Sequence, residues 1–148
     1  MKKCYSLISA ILLLGSVHCH AEQLKALENL VLCRQDSSVD ALIQKMDKGD
    51  GFEKSGMNFY KPQKVIHAFG YEVAYIGLNG VDMVAGPNIS VKGKYKDVEK
   101  SVKGIHKGEY NCGPGGCDLE IDKYNHLMIY PHPADKSMTI IQCGYLGP

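Results

Sequence analysis

The sequence predicts an α+β domain: an antiparallel β-sheet with two N-terminal helices and a third helix between two groups of strands, stapled by disulfides. Three observations carry this prediction. Apolar residues recur at helical spacing through residues 22–48 and at strand spacing from Lys64 onward. A shorter helical pattern, Tyr95, Val98, Val102 and Ile105, separates the strand-like segments into two groups. Four cysteines, Cys33, Cys112, Cys117 and Cys143, follow an N-terminal segment that reads as an export signal.

That segment begins with Lys2 and Lys3 and continues into a short apolar run, Leu7 to Leu14. Cys19-His20-Ala21 then places small residues at the two positions a signal peptidase inspects, so cleavage is expected after Ala21. His18 before Cys19 fits poorly with lipoprotein processing, and the apolar run is shorter than the ~20 residues a membrane span needs. The expectation is residues 1–21 as signal peptide and 22–148 as a single domain, periplasmic or secreted, without membrane insertion after signal removal. The chain carries 17 Lys and Arg against 16 Asp and Glu. Such interspersed, near-neutral charge lacks the basic footprint of a nucleic-acid binder.

Within the domain, Leu24, Leu27 and Val31 share one stripe of a first helix over Glu22 to Leu32. Asp36-Ser37-Ser38 is an N-cap cluster, and Val39, Leu42, Ile43 and Met46 line one face of a second helix. Gly49 is placed to end it in a left-handed conformation. Residues 49–63 read as a Gly-rich connection whose aromatics, Phe52, Phe59 and Tyr60, fold back on the core. Val65 to Phe69 and Tyr71 to Leu78 read as strands. Asn79-Gly80 signals a type I′ hairpin that opposes Leu78 to Val81, Ile76 to Met83 and Ala74 to Ala85. A short strand at Ile89 to Val91 precedes the third helix, which ends near Gly104. Asp118 to Asp122, Leu127 to Tyr130 and Ser137 to Cys143 read as three further strands.

An even number of cysteines in an exported chain points to disulfides. Of the three connectivities open to four cysteines, Cys112–Cys117 is favoured as a small ring and Cys33–Cys143 as a tie from the first helix to the last strand. Other chemistry can be drawn from the same residues. Cys112 with His106 or His126 has the residue types of a thiol nucleophile and its base, as in a small hydrolase. His106, Cys112, Cys117 and His126 have the donor types of a zinc site, though not its spacing. Asp118, Glu120 and Asp122 alternate onto one strand face, as solvent-facing acids do. An oxidised Cys112 removes both the nucleophile and the metal set, so no catalytic residue, metal or cofactor is assigned.

What remains is the ring as an interaction element. Gly113, Pro114, Gly115 and Gly116, with Asp118 beside them, form the candidate binding loop. A disulfide ring is pre-ordered and loses less conformational entropy on binding. A stapled turn with no partner has the same composition. Cys112-Gly113-Pro114-Gly115-Gly116-Cys117 resembles the Cys-x-Pro-x-x-Cys loop of the periplasmic inhibitors of vertebrate lysozyme, exported bacterial proteins that insert this loop into the lysozyme cleft. Those inhibitors place a histidine where this chain has Gly115. The expected function is an exported bacterial protein, non-enzymatic, that binds another protein, with inhibitor- or immunity-type roles as its sub-class. The alternatives are the Cys112 hydrolase and a structural component of the envelope.

Overall fold

The computed structural model describes residues 12–79 and 85–145. Helix α1 runs Leu12–Val31 and α2 runs Ser37–Asp47. Strands β1 (Phe52–Lys54), β2 (Phe59–Pro62), β3 (His67–Ala68), β4 (Tyr71–Gly77) and β5 (Asn88–Lys92) follow. Helix α3 (Tyr95–Ile105) precedes β6 (Asn111–Gly113), β7 (Gly116–Glu120), β8 (Asn125–Pro131) and β9 (Met138–Tyr145). All strand pairs are antiparallel. The spatial order is β1-β2-β4-β5-β9-β8-β7-β6, with β3 paired to β4 outside that path. This is the α+β architecture expected, with both disulfides, Cys33–Cys143 and Cys112–Cys117, formed as favoured.

One register row explains how the sheet is held. Tyr60, Ile76, Ile89, Ile141, Ile129 and Cys117 are successive cross-strand partners from β2 to β7. Each is at most 3% exposed. The row ends where Cys117 pairs with Cys112 on the edge strand. Period-2 alternation places these side chains on one sheet face, and burying each aliphatic one contributes roughly 1.5–3 kcal/mol. The helices cover this face: α1 packs on β5 and β9, and α3 on β8 and β9.

Helix α1 turns Ala26, Leu27, Leu30 and Val31 inward, and ends as expected, with Cys33 in a left-handed conformation at φ 58°. It crosses the expected cleavage point, but the buried residues among its described side chains start at Ala26. Asp36 caps α2 by accepting from the backbone N–H groups of Ser38 and Val39. Val39, Leu42 and Met46 form the buried face, and Gly49 takes φ 69° just beyond the helix.

Three expectations are corrected. Residues 49–63 form a hairpin, with Lys54 opposite Tyr60 and Phe52 opposite Pro62, because each short strand has one large residue to bury. Phe52 and Tyr60 are buried, whereas Phe59 is 37% exposed on the other face. The pairing of Ile76 with Met83 also gives way: Ile76 is flanked by Tyr60 and Ile89, so both its edges are taken. Ala85 instead bridges Tyr145. Gly80 of the expected Asn79-Gly80 turn and residues 81–84 of the strand after it lie outside the described residues. The paired positive φ values of a tight hairpin occur at Phe69 (54°) and Gly70 (85°), between β3 and β4. Only His67 and Ala68 of the expected Val65–Phe69 strand pair with β4. None of the described helices is long and apolar enough to cross a membrane.

Candidate functional site

The ring sits at the sheet edge, against α3. Cys112 and Cys117 are direct cross-strand partners with Cα atoms 4.1 Å apart. Cys117 points to the helix face and is 3% exposed, while Cys112 lies on β6, where every residue is exposed. Pro114 and Gly115 make the two-residue connection between paired Gly113 and Gly116. Gly113 and Gly115 face open space: a Cβ on either meets nothing within 4 Å. Gly116 is different. At φ 149° its missing Cβ would lie 2.5 Å from the Ile129 carbonyl oxygen and 2.8 Å from the Tyr130 Cβ. Glycine there lets β7 close onto β8. The tip therefore projects from a base that is anchored on two sides.

Helix α3 supplies the other half of the site. Val98 and Val102 are fully buried, which rotates Tyr95, Glu99 and Lys103 onto a neighbouring stripe at i, i+4 and i+8. The Tyr95 hydroxyl lies 3.2 Å from the Cys117 Sγ, and the Lys103 Nζ lies 3.0 Å from the Cys112 Sγ. Glu99 sits between them and accepts from Lys103 at 2.7 Å and Lys96 at 3.0 Å. Partial burial works to raise the Glu99 carboxyl, but hydrogen bonds from Lys103, Lys96 and Tyr95 outweigh it and hold it below its ordinary value. Burial, with the charge and hydrogen bond of Glu99, pushes the Tyr95 phenol up to about 12, so it stays a hydroxyl donor. Lys103 also lies 4.9 Å over the Tyr110 ring.

Other predicted partners lie elsewhere. Strand alternation puts Asp118 on the face opposite Cys117, where both its oxygens bond His126 Nδ1 at 2.9 and 3.1 Å. Asp118, directly after Cys117, is thus tied to His126 on β8. His106 packs edge-on against Phe69 with ring centroids 6.0 Å apart. Its Nε2 is buried without a hydrogen-bond partner among the described residues. Desolvation, reinforced by the Arg34 charge, lowers its pKa, against the opposing pull of Glu28. The four proposed zinc donors are not gathered into one group. The donor atoms of Glu99, Cys112 and Cys117 do lie within 4.8 Å of one another. Both sulfurs are committed to their bridge, which leaves no thiolate for a metal. Glu120 is exposed at the end of β7, and Asp122 accepts from the backbone N–H groups of Tyr124 and Asn125 as a turn residue.

The sequence marks the ring but not its setting. Helical spacing places Tyr95 on an apolar stripe and does not single out Glu99 or Lys103. Their i, i+4, i+8 spacing was the available signal, yet nothing in it says which loop lies opposite. No protein-family model matches the chain, and no match is found among curated proteins or solved structures.

Proposed function

We propose that this is an exported, non-enzymatic protein that binds another protein through the disulfide-ringed tip at residues 112–117. The observation that carries the reading is the contrast within one hairpin. Gly113, Pro114 and Gly115 stand exposed, while Gly116 and Cys117 are seated on β8 and α3. A covalently closed, side-chain-poor tip on a fixed base loses little conformational entropy on docking and fits a narrow cleft. Two disulfides favour a compartment that oxidises thiols, and the signal-like N-terminus fits export to the periplasm or beyond.

Inhibitor- or immunity-type action on wall-degrading enzymes is the sub-class this reading favours, with the loop's resemblance to the vertebrate-lysozyme inhibitors as its motive. Gly115, in place of their histidine, points to a target other than the one they bind. The test presents immobilised protein to a panel of purified wall-degrading enzymes, vertebrate lysozyme included, and measures binding and residual activity. Retention of one enzyme by the native chain, with at least tenfold weaker retention by Gly115→Trp at unchanged Tm, supports the reading. Equal retention by both chains removes the tip from the interface. Failure of the whole panel removes the inhibitor sub-class.

A further inference from the structure

The surroundings of the two ring sulfurs do more than a turn staple requires. A staple needs two cysteines in register, which the β6–β7 pairing already provides. An ammonium placed against a neutral disulfide gains little, and Lys103 already has a carboxylate in Glu99. Its 3.0 Å approach to Cys112 Sγ becomes strongly favourable only when that sulfur carries charge. At the other sulfur, the Tyr95 hydroxyl lies 3.2 Å from Cys117 Sγ, and its single proton, shared with Glu99 in the oxidised state, can turn to that sulfur once it carries charge. Each sulfur of the bridge therefore has its own group suited to a thiolate.

We infer that Cys112–Cys117 is a redox-active disulfide that undergoes exchange with an external dithiol, Cys112 being the sulfur attacked and Lys103, Glu99 and Tyr95 stabilising the opened pair. Accessibility sets the direction, since Cys112 lies on the exposed edge strand while Cys117 is 3% exposed. The donor's thiolate attacks Cys112 Sγ, forming a mixed disulfide and breaking the ring bond. The bond's electron pair leaves on Cys117 Sγ, where the Tyr95 hydroxyl can donate to it. The donor's second thiol then attacks its own sulfur in the mixed disulfide and releases Cys112 as a thiolate beside Lys103. The donor ends as a disulfide, oxidised by two electrons. The ring ends as two reduced cysteines, and the donor's two protons go to the cysteines or to solvent. Lys103 reaches Cys112 Sγ and pairs with Glu99, which Lys96 also pairs. Glu99 opposes a second negative charge nearby, and the two lysines balance the two negative charges. The bridge Cys33–Cys143 lies elsewhere, with Cys143 buried in β9, and is the internal reference. This inference stands independently of whether the tip docks on a partner.

The experiment equilibrates the purified, oxidised protein in dithiothreitol buffers of graded reduced-to-oxidised ratio, traps free thiols by alkylation and maps them by peptide mass. Cys112 and Cys117 are expected to label together at a ratio that leaves Cys33 and Cys143 unlabelled. In that half-reduced protein, iodoacetamide should label Cys112 first, with a pH–rate midpoint below that of an ordinary thiol. Lys103→Gln should move the midpoint upward and slow labelling at pH 6 by about tenfold, and Lys103→Arg should restore it. Tyr95→Phe, which keeps the ring of the side chain, should make reduction of the ring harder while leaving the Cys112 midpoint near native. Joint reduction of the two bridges, or one midpoint shared by native and Lys103→Gln protein, would overturn the inference.

Discussion

Gly116 sits against the Ile129 carbonyl so closely that a Cβ would come within 2.5 Å of that oxygen. Its φ of 149° is also a conformation that side-chain-bearing residues rarely adopt. Gly116→Ala should therefore displace β7 from β8 and cost about 1–3 kcal/mol. Gly115→Ala, one residue closer to the tip and in open space, should change stability by less than ~0.5 kcal/mol. Thermal unfolding of the two variants makes the comparison, and equal midpoints would contradict the anchored-base description of the hairpin.

The two disulfides should contribute unequally. Cys33 and Cys143 are 110 positions apart, Cys112 and Cys117 only 5. Loop-closure entropy then assigns ~4–5 kcal/mol to the long bridge and about 2 kcal/mol to the ring. Urea unfolding of Cys33→Ala/Cys143→Ala and Cys112→Ala/Cys117→Ala chains should show the larger loss in the first. The reverse order would mean that the ring holds α3 to the sheet more strongly than chain entropy accounts for.

These contrasts mark how far the sequence could be read. Periodic segments were legible: the α2 stripe of Val39, Leu42 and Met46 and the Asp36 cap follow from local rules, and both appear as expected. The cysteine pairing was legible only as the favoured one of three connectivities, since spacing alone does not fix it, and the structure forms that pairing. Short strands were not. Phe52–Lys54 and Phe59–Pro62 each present one residue to the core, too little for a period to register. Pairing across β4 failed for another reason. A hairpin signal at Asn79-Gly80 describes local turn chemistry, whereas Ile76 pairs with Tyr60 and Ile89 through tertiary competition for strand edges. The α3 side of the site lay beyond reach for the same reason, since Lys103 and Cys112 meet only after the helix docks.

Asp36 makes acid sensitivity testable at one helix end. Hydrogen bonds from the Ser38 side chain, from the backbone N–H groups of Val39 and Ser38, and from Asn29 lower its pKa below the ordinary carboxylate value. A carboxyl depressed in the folded state contributes stability that is present above its unfolded value, about 4, and is lost as pH falls through the folded value. Asp36→Ala should lower Tm by a few degrees at pH 7, with the gap narrowing toward pH 3. Asp36→Asn, still a good cap, should keep most of the neutral-pH stability. A gap between native and Asp36→Ala chains that stays constant with pH would mean that the charge contributes nothing.

His106 governs a different pH window. Its imidazole is desolvated, lies edge-on to Phe69 and leaves Nε2 unpartnered among the described residues. Burial, aided by Arg34 and opposed by Glu28, lowers its pKa from the ordinary value of 6.5. The unfolded chain therefore takes up the proton first as pH falls. Full stability is present above about pH 6.5, declines below it, and levels off once pH passes the folded-state value. This decline lies above the range in which Asp36, Asp122 and Asp135, all with lowered values, take up protons. His106→Phe keeps an aromatic edge against Phe69 while removing both the titration and the unpartnered nitrogen. Its urea midpoint should match or exceed the native one at pH 8 and fall less between pH 7 and pH 5. Parallel losses in the two chains over that interval would show that protonation of His106 is not what the folded state resists.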